Sequence, residues 1–344
     1  FILLFFALRN HHKARRYVFC LFSLYFFYKA SGWFVGLVLV SAVVDFFLSN
    51  AIYREKSQSR KKFLLVLSIL FNLGMLFYFK YTDFFIEISN SLFDTNFNPL
   101  NLILPIGISF YTFENLSYTV DVYRGEFKPA NRFSDYLLFL AFFPKLMMGP
   151  IVRAHDFVPQ INEPYVISER DFAKGFFLII SGLIKKLVIS DYITLNMVDY
   201  MFDNPALHTG VENLMAVYGY AMVIYCDFSG YSEIAIGIAL WLGFKIPPNF
   251  MSPYQSLNIT EFWRRWHISL SRWFRDYVYI FLGGGYGKPL KVAFNLSVVW
   301  ILTGIWHGAN WTFLVWGILY YLLIVLEKFT GIIDKIGKFS RVYT

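Results

Sequence analysis

The chain has 344 residues, of which 57% are hydrophobic, 21% aromatic and only 16% charged, with a formal net charge of +8. Soluble chains carry about 25% charged residues, so this composition excludes a soluble globular protein. It predicts an all-α, polytopic transmembrane bundle. The basic residues stand in short loops between apolar runs, a positive-inside pattern that also suits anionic lipid head groups and argues against nucleic acid as a partner. Cys20 and Cys226 lie in apolar surroundings without CxxC spacing, which predicts neither a disulfide framework nor a metal site. No polar linker divides the apolar runs, so residues 1–344 read as a single transmembrane domain, truncated at both ends.

In chain order, Phe1 to Leu8 reads as the tail of a span, and Arg9 to Arg16 as a basic, cytoplasmic loop. Tyr17 to Ser49 reads as a helical hairpin broken at Ser31-Gly32, followed by a second basic loop with Arg54, Lys56, Arg60, Lys61 and Lys62. Two basic loops flanking a hairpin share one side, as the positive-inside rule requires. Phe63 to Tyr81 leads to an acidic loop with Asp83, Glu87 and Asp94. Leu102 to Val120 returns, opened by Pro105 and Gly107 and carrying Glu114. Tyr136 to Val152 is interrupted by Pro144 and Gly149-Pro150, breaks tolerated only where the backbone faces protein or water. Phe172 to Ile189 is a further span, with Lys185-Lys186 needing protein, water or a head group, and Asp199, Asp203 and Glu212 mark an outside loop. Leu214 to Phe244 reads as two spans joined or broken at Asp227-Phe228-Ser229-Gly230. Asp227 and Glu233 there either shape a polar site or pair with basic residues. The total is roughly ten to eleven apolar segments at the usual span length.

Asn258 to Tyr277 differs in kind. Asn258 with Glu261 three residues on predicts a helix N-terminal cap. At 100° per residue, Phe262, Trp263, Trp266, Leu270, Trp273, Phe274 and Tyr277 share an arc about 120° wide. Arg264, Arg265, Arg272 and Arg275 lie opposite, and His267 falls at the arc's edge. The segment reads as a basic amphipathic helix in the interface, either a plain anchor or a site for a phosphate-bearing cytoplasmic ligand that Arg pairs bidentately. Gly283-Gly284-Gly285-Tyr286-Gly287-Lys288 fails the phosphate-loop pattern at Leu282 and Pro289 and reads as an interhelical turn.

Val292 to Leu326 holds no Asp, Glu, Lys or Arg and a single imidazole, His307, in Gly304-Ile305-Trp306-His307-Gly308-Ala309-Asn310. One span needs about 20 residues, so this run predicts two short spans or a span with a re-entrant piece. An ionisable group at that depth is a functional candidate, and the flanking glycines allow close approach.

Five stretches together resemble the membrane-bound O-acyltransferase (MBOAT) family, above all its bacterial branch that acetylates exported polysaccharides, typified by alginate O-acetyltransferase. They are LPIGISFYTFENLSYTVDVYRG (Leu104 to Gly125), FPKLMMGPIVR (Phe143 to Arg153), YCDFSGYSEIAIG (Tyr225 to Gly237), ITEFWRRWHISLSRWFRDYVYI (Ile259 to Ile280) and GIWHGANWTFLVWG (Gly304 to Gly317). The resemblance implies that His307 is the catalytic histidine and His267 a second functional one, in a helical bundle with interfacial or re-entrant helices and a central funnel. Asn258, Arg264, Arg265, Trp266, Tyr225, Asp227, Trp306 and Asn310 are the expected donor- or substrate-binding residues. The implied reaction moves an acetyl group from a cytoplasmic thioester, acetyl-CoA as co-substrate with no tightly bound cofactor, across the bacterial inner membrane. The implied acceptor is an exported polysaccharide, reached through a secreted or membrane-anchored relay acetyltransferase. D-alanyl or peptidoglycan O-acyl transfer is the nearest alternative. A transporter would show repeated halves, which the chain lacks; a non-catalytic scaffold would tolerate loss of His307.

Overall fold

In lipid, every backbone N–H and C=O needs a partner within the protein, and a helix supplies it locally. The computed structural model describes residues 11–331 together with Phe5, Ala7 and Leu8; it is helical, with no strand among the described residues. In chain order the principal helices are α1 (His12–Ser31), α2 (Val35–Arg54), α3 (Gln58–Phe93), α4 (Ile108–Arg124), α5 (Phe133–Ala141), α6 (Glu169–Leu183), α7 (Gly210–Trp241), α8 (Ile259–Arg265), α9 (Ile268–Phe274), α10 (Pro289–His307) and α11 (Trp311–Thr330). Among the described residues, five stretches are long and apolar enough to cross a membrane: Lys13–Arg54, Gln58–Phe93, Gly210–Trp241, Pro289–His307 and Trp311–Thr330. The count falls below the ten or eleven expected because several apolar runs fold as short or broken helices, and one pair of expected spans is a single helix. The chain is a polytopic helical membrane protein. The span tail expected at Phe1 to Leu8 lies largely outside the described residues.

The fold comprises two compact units, Phe1–Phe46 with Ala130–Phe250, and Phe47–Pro129 with Met251–Thr344. In the first, α1 already includes Lys13, Arg15 and Arg16, so the expected basic loop is helix from His12 on, its residues 9 and 10 lying outside the described residues. Arg16 Nη1 pairs with Asp135 of α5 at 3.0 Å, both buried, and Arg15 Nη2 donates to Glu163 O at 2.7 Å. These cations bind protein rather than facing the cytoplasm. A 3₁₀ turn, Gly32–Phe34, with Gly32 at φ +59°, joins α1 to α2. The two helices do not run side by side, so the expected hairpin is absent, and with it the argument that both basic loops share a side. A buried pair is costly to break, because the survivor is left charged and unpartnered. Asp135→Ala is therefore expected to destabilise the protein by about 3–5 kcal/mol, and Arg16→Met/Asp135→Leu to recover most of it, as read from thermal unfolding in detergent.

The expected break at 142–152 is real: α5 stops after nine residues and the chain turns through Pro144 and Gly149-Pro150, with Phe142, Ile151 and Val152 buried in protein. Beyond α6 the chain stays helical through wider π-helical turns at Ile184–Ser190 and Thr194–Val198 to Asp203. Asp199 and Asp203 therefore stand on helix rather than in a loop. The 32-residue α7 is unbroken through Gly230. Its glycines serve packing: a Cβ on Gly182 would lie 2.4 Å from Gly230 O, and one on Gly237 2.6 Å from Gly175 O. Such small-residue contacts bring helices together in membranes. Lys185 pairs with Glu233 and Lys186 with Asp227, so each of these carboxylates has a lysine partner.

In the second unit α3 runs to Phe93, so Asp83 and Glu87, expected in a loop, are helical. Asn115 Nδ2 of α4 donates to Asn72 Oδ1 of α3 at 3.0 Å. Pro105 and Gly107, the latter at φ +73°, hold back the start of α4 until Ile108. The uncharged run resolves into two spans, α10 and α11. A Cβ on Gly304 would lie 2.5 Å from Phe313 O, and one on Gly317 2.5 Å from Trp300 O, so the pair closes on backbone.

Candidate active site

The site belongs to the second unit. Asn258 Oδ1 accepts from Glu261 N at 2.7 Å, capping α8 as its spacing predicts. The Glu261 carboxylate reaches back to Leu257 N at 2.9 Å and across to Arg265 at 2.6 Å. From α11, Glu327 Oε2 accepts from Ile259 N at 2.9 Å. Its negative charge also suits the positive end of the α8 dipole.

The amphipathic helix expected through Tyr277 does not continue. Trp266 is extended, and His267 adopts the left-handed conformation, φ +42° and ψ +54°, before α9 begins. That region is uncommon for non-glycine residues, though histidine is enriched there. The kink splits the aromatic arc. Trp266 stacks on Phe262 at 5.4 Å, whereas Trp273 stacks on Phe113 at 3.9 Å and donates to its carbonyl at 2.9 Å. His267, expected at the edge between wet and dry faces, is instead 2% exposed.

His307 is the last residue of α10, with Gly308 extended beyond it. The middle of the uncharged run is thus a helix end rather than mid-span. His307 Nδ1 lies 2.8 Å from Thr303 O. A carbonyl can only accept, so Nδ1 carries the proton and Nε2 presents a lone pair. A Cβ on Gly308 would meet the Phe313 ring at 2.1 Å, so glycine here is a matter of space.

Trp306 joins the two imidazoles: its ring centroid lies 5.8 Å from His267 and 5.0 Å from His307. Phe110 packs against Trp306 at 5.6 Å and His267 at 6.4 Å, and Trp316 covers His307 at 4.7 Å. Burial holds the His267 pKa well below the usual imidazole value, and the proximity of His307 adds to this. The His267 ring is therefore neutral near pH 7. Beside Thr303 opens a cavity of about 210 Å³ lined by Thr260, Trp263, Arg264, Arg275 and Trp300. The buried Trp263 Nε1 finds no protein acceptor among the described residues. An indole N–H in that position usually has a partner, and a bound molecule would supply one.

Of the residues expected from sequence, His267, His307 and Trp306 come together, and Arg264 lines the adjoining cavity. Trp266 packs with Phe262 and Tyr254, and Arg265 is engaged by Glu261. Asn258 and Asn310 are helix caps, Asn310 Oδ1 accepting from Thr312 N at 2.9 Å. Tyr225 and Asp227 belong to the first unit, where Lys186 holds Asp227. Sequence reasoning missed Lys80 and Tyr81 of α3. Lys80 donates to Trp306 O, and Tyr81 OH donates to Ile305 O at 2.7 Å. The clue was present: Lys80 is the first charge after Lys62 in a run as apolar as the one around His307.

The second unit thus sets two imidazoles against one indole, Trp306, with an aromatic-lined cavity opening beside Thr303, one turn before His307. Residues 131–333 match the membrane-bound O-acyltransferase (MBOAT) family, and the chain belongs to it. It is 37% identical over 89% of its length to a peptidoglycan O-acetyltransferase of Helicobacter pylori, covering 63% of that protein. It is 40% identical over 86% of its length to a probable alginate O-acetylase, AlgI, of Azotobacter vinelandii, covering 60% of it. A teichoic acid D-alanyltransferase of Bacillus subtilis is 32% identical over 67% of the chain, with 60% of that protein covered. The chain thus spans about three fifths of the length of these relatives.

Proposed function

We propose that the protein is an O-acyltransferase that carries an acetyl group from a cytoplasmic thioester, with acetyl-CoA as co-substrate, to a hydroxyl during O-acetylation of an exported polysaccharide. The observation that supports this reading is His307, whose Nδ1 is committed to Thr303 O, leaving Nε2 to act as the base, with a cavity opening beside Thr303 one helical turn away. Nε2 takes the proton of the acceptor hydroxyl as its oxygen attacks the thioester carbonyl. The C–O bond forms, the C–S bond breaks, and the leaving thiolate takes the proton back from the imidazolium. Neutral His267, one tryptophan away, orients the thioester or assists proton transfer. Arg264 and Arg275 suit the phosphates of a coenzyme, and the aromatic wall its acyl-bearing end.

The acetyl relatives match over more of the chain than the D-alanyl relative does, which favours acetyl as the cargo. The acceptor is a surface glycan, reached directly or through a separate relay acetyltransferase at the outer face of the bacterial cytoplasmic membrane. The test is full-length protein in proteoliposomes, supplied with either [¹⁴C]acetyl-CoA or a carrier-bound D-alanyl thioester and a polysaccharide acceptor with its relay acetyltransferase. Label transfer from acetyl-CoA is expected. Transfer only from the D-alanyl thioester would replace the cargo, and transfer from neither would overturn the proposal.

A further inference from the structure

A helix end leaves its last carbonyls without intrahelical donors. Many helices satisfy them by returning the chain through a left-handed glycine. Helix α10 does not: Gly308 leaves in an extended conformation, φ −168° and ψ +155°. The missing donors come from α3 instead. Tyr81 OH reaches Ile305 O at 2.7 Å, and Lys80 Nζ reaches Trp306 O while lying 5.6 Å from the Trp306 ring centroid and 3.5 Å from Ser109 Oγ. The Lys80 ammonium also complements the negative end of the α10 dipole. His307 follows directly on these two carbonyls, and its ring turns back onto Thr303 O of the same helical turn.

We propose that Lys80 and Tyr81 are positioning residues for His307: from a neighbouring helix they clamp the open end of α10, so that the imidazole keeps one tautomer and one direction. Neither need touch substrate. The clamp fixes the turn on which both Trp306 and His307 ride, and so sets the placement of the base against the acceptor oxygen. Displacement of a catalytic group by about 1 Å can cost 10²-fold in rate. A cation brought into an apolar region is otherwise hard to account for, whereas a doubly engaged helix end gives it a use.

This rests on the acyltransferase reading, and the experiment separates the two. Full-length wild-type, Lys80→Met, Lys80→Arg, Tyr81→Phe and His307→Ala proteins are reconstituted and assayed for kcat and donor KM, with thermal unfolding in parallel. Lys80→Met is expected to lower kcat about 10–100-fold with donor KM within about twofold and a folded protein, and Lys80→Arg, which keeps a charged donor, to recover most of the loss. Wild-type kcat in Lys80→Met, or a loss confined to KM, overturns the clamp. Should Lys80→Met not fold, Tyr81→Phe decides: it removes only the Ile305 bond, and a lowered kcat at unchanged KM supports the clamp, while wild-type kcat overturns it. If His307→Ala retains full activity, His307 is not the base and the clamp has nothing to position; absence of transfer in the wild-type protein is the separate result that would overturn the acyltransferase reading.

Discussion

Replacing His307 with alanine is expected to slow acyl transfer by about 10²–10⁴-fold, the usual contribution of a general base, with the protein still folded. The ring makes one hydrogen bond, to Thr303 O, and packs against Trp306 and Trp316. Its removal opens a small space but strands no charge, so the cost in stability is modest. Chemistry and fold should therefore part: initial rates fall while the thermal midpoint shifts by a few degrees. His307→Gln sharpens the test, because an amide can still bond Thr303 O yet offers no basic nitrogen. It should be as slow as alanine and closer to wild type in stability. A glutamine variant with wild-type rates would show that the ring serves the fold alone.

A large effect on helix packing is expected at Gly317. A Cβ there would lie 2.5 Å from Trp300 O and 3.2 Å from Gly304 Cα, both backbone atoms that cannot swing aside. Gly317→Val must push α10 and α11 apart. Overpacking a tight core costs about 1–3 kcal/mol and sometimes more, and close small-residue contacts are a principal force between membrane helices. The variant should yield little folded protein in detergent, with a clearly lowered thermal midpoint. Gly317→Ala meets the same two atoms and should already be measurably impaired. Since Trp316 covers His307 at 4.7 Å, folded material that survives should also lose activity. A valine variant with wild-type stability would show that the two helices can separate freely.

How much of this was legible in the residues differs from element to element. Composition reveals the membrane, because lipid demands apolar side chains and self-satisfied backbone over any span. The Asn258 cap is equally plain, being a local pattern, while the length of the uncharged run around His307 allowed either two spans or a span with a re-entrant piece. Single-helix α7 was not: the Asp227 to Gly230 stretch reads as a break until Gly182 is seen opposite Gly230, a contact made across 48 positions of sequence. The kink at His267 leaves no mark either, since no glycine or proline announces it. Lys80 was visible as a lone charge, but its partner, a helix end, has no signature of its own. Local rules see periodicity and caps; they do not see which backbone another helix will meet.

Because residue 267 occupies left-handed backbone, few amino acids suit it. Glycine, asparagine, aspartate and histidine hold that shape most readily, whereas β-branched residues resist it. Of these only aspartate and histidine exchange a proton, and only histidine has an ordinary pKa near neutrality, so conformation and the proposed proton transfer favour the same letter for independent reasons. Asparagine at this point would keep the bend and remove the imidazole, separating architecture from chemistry with a single exchange.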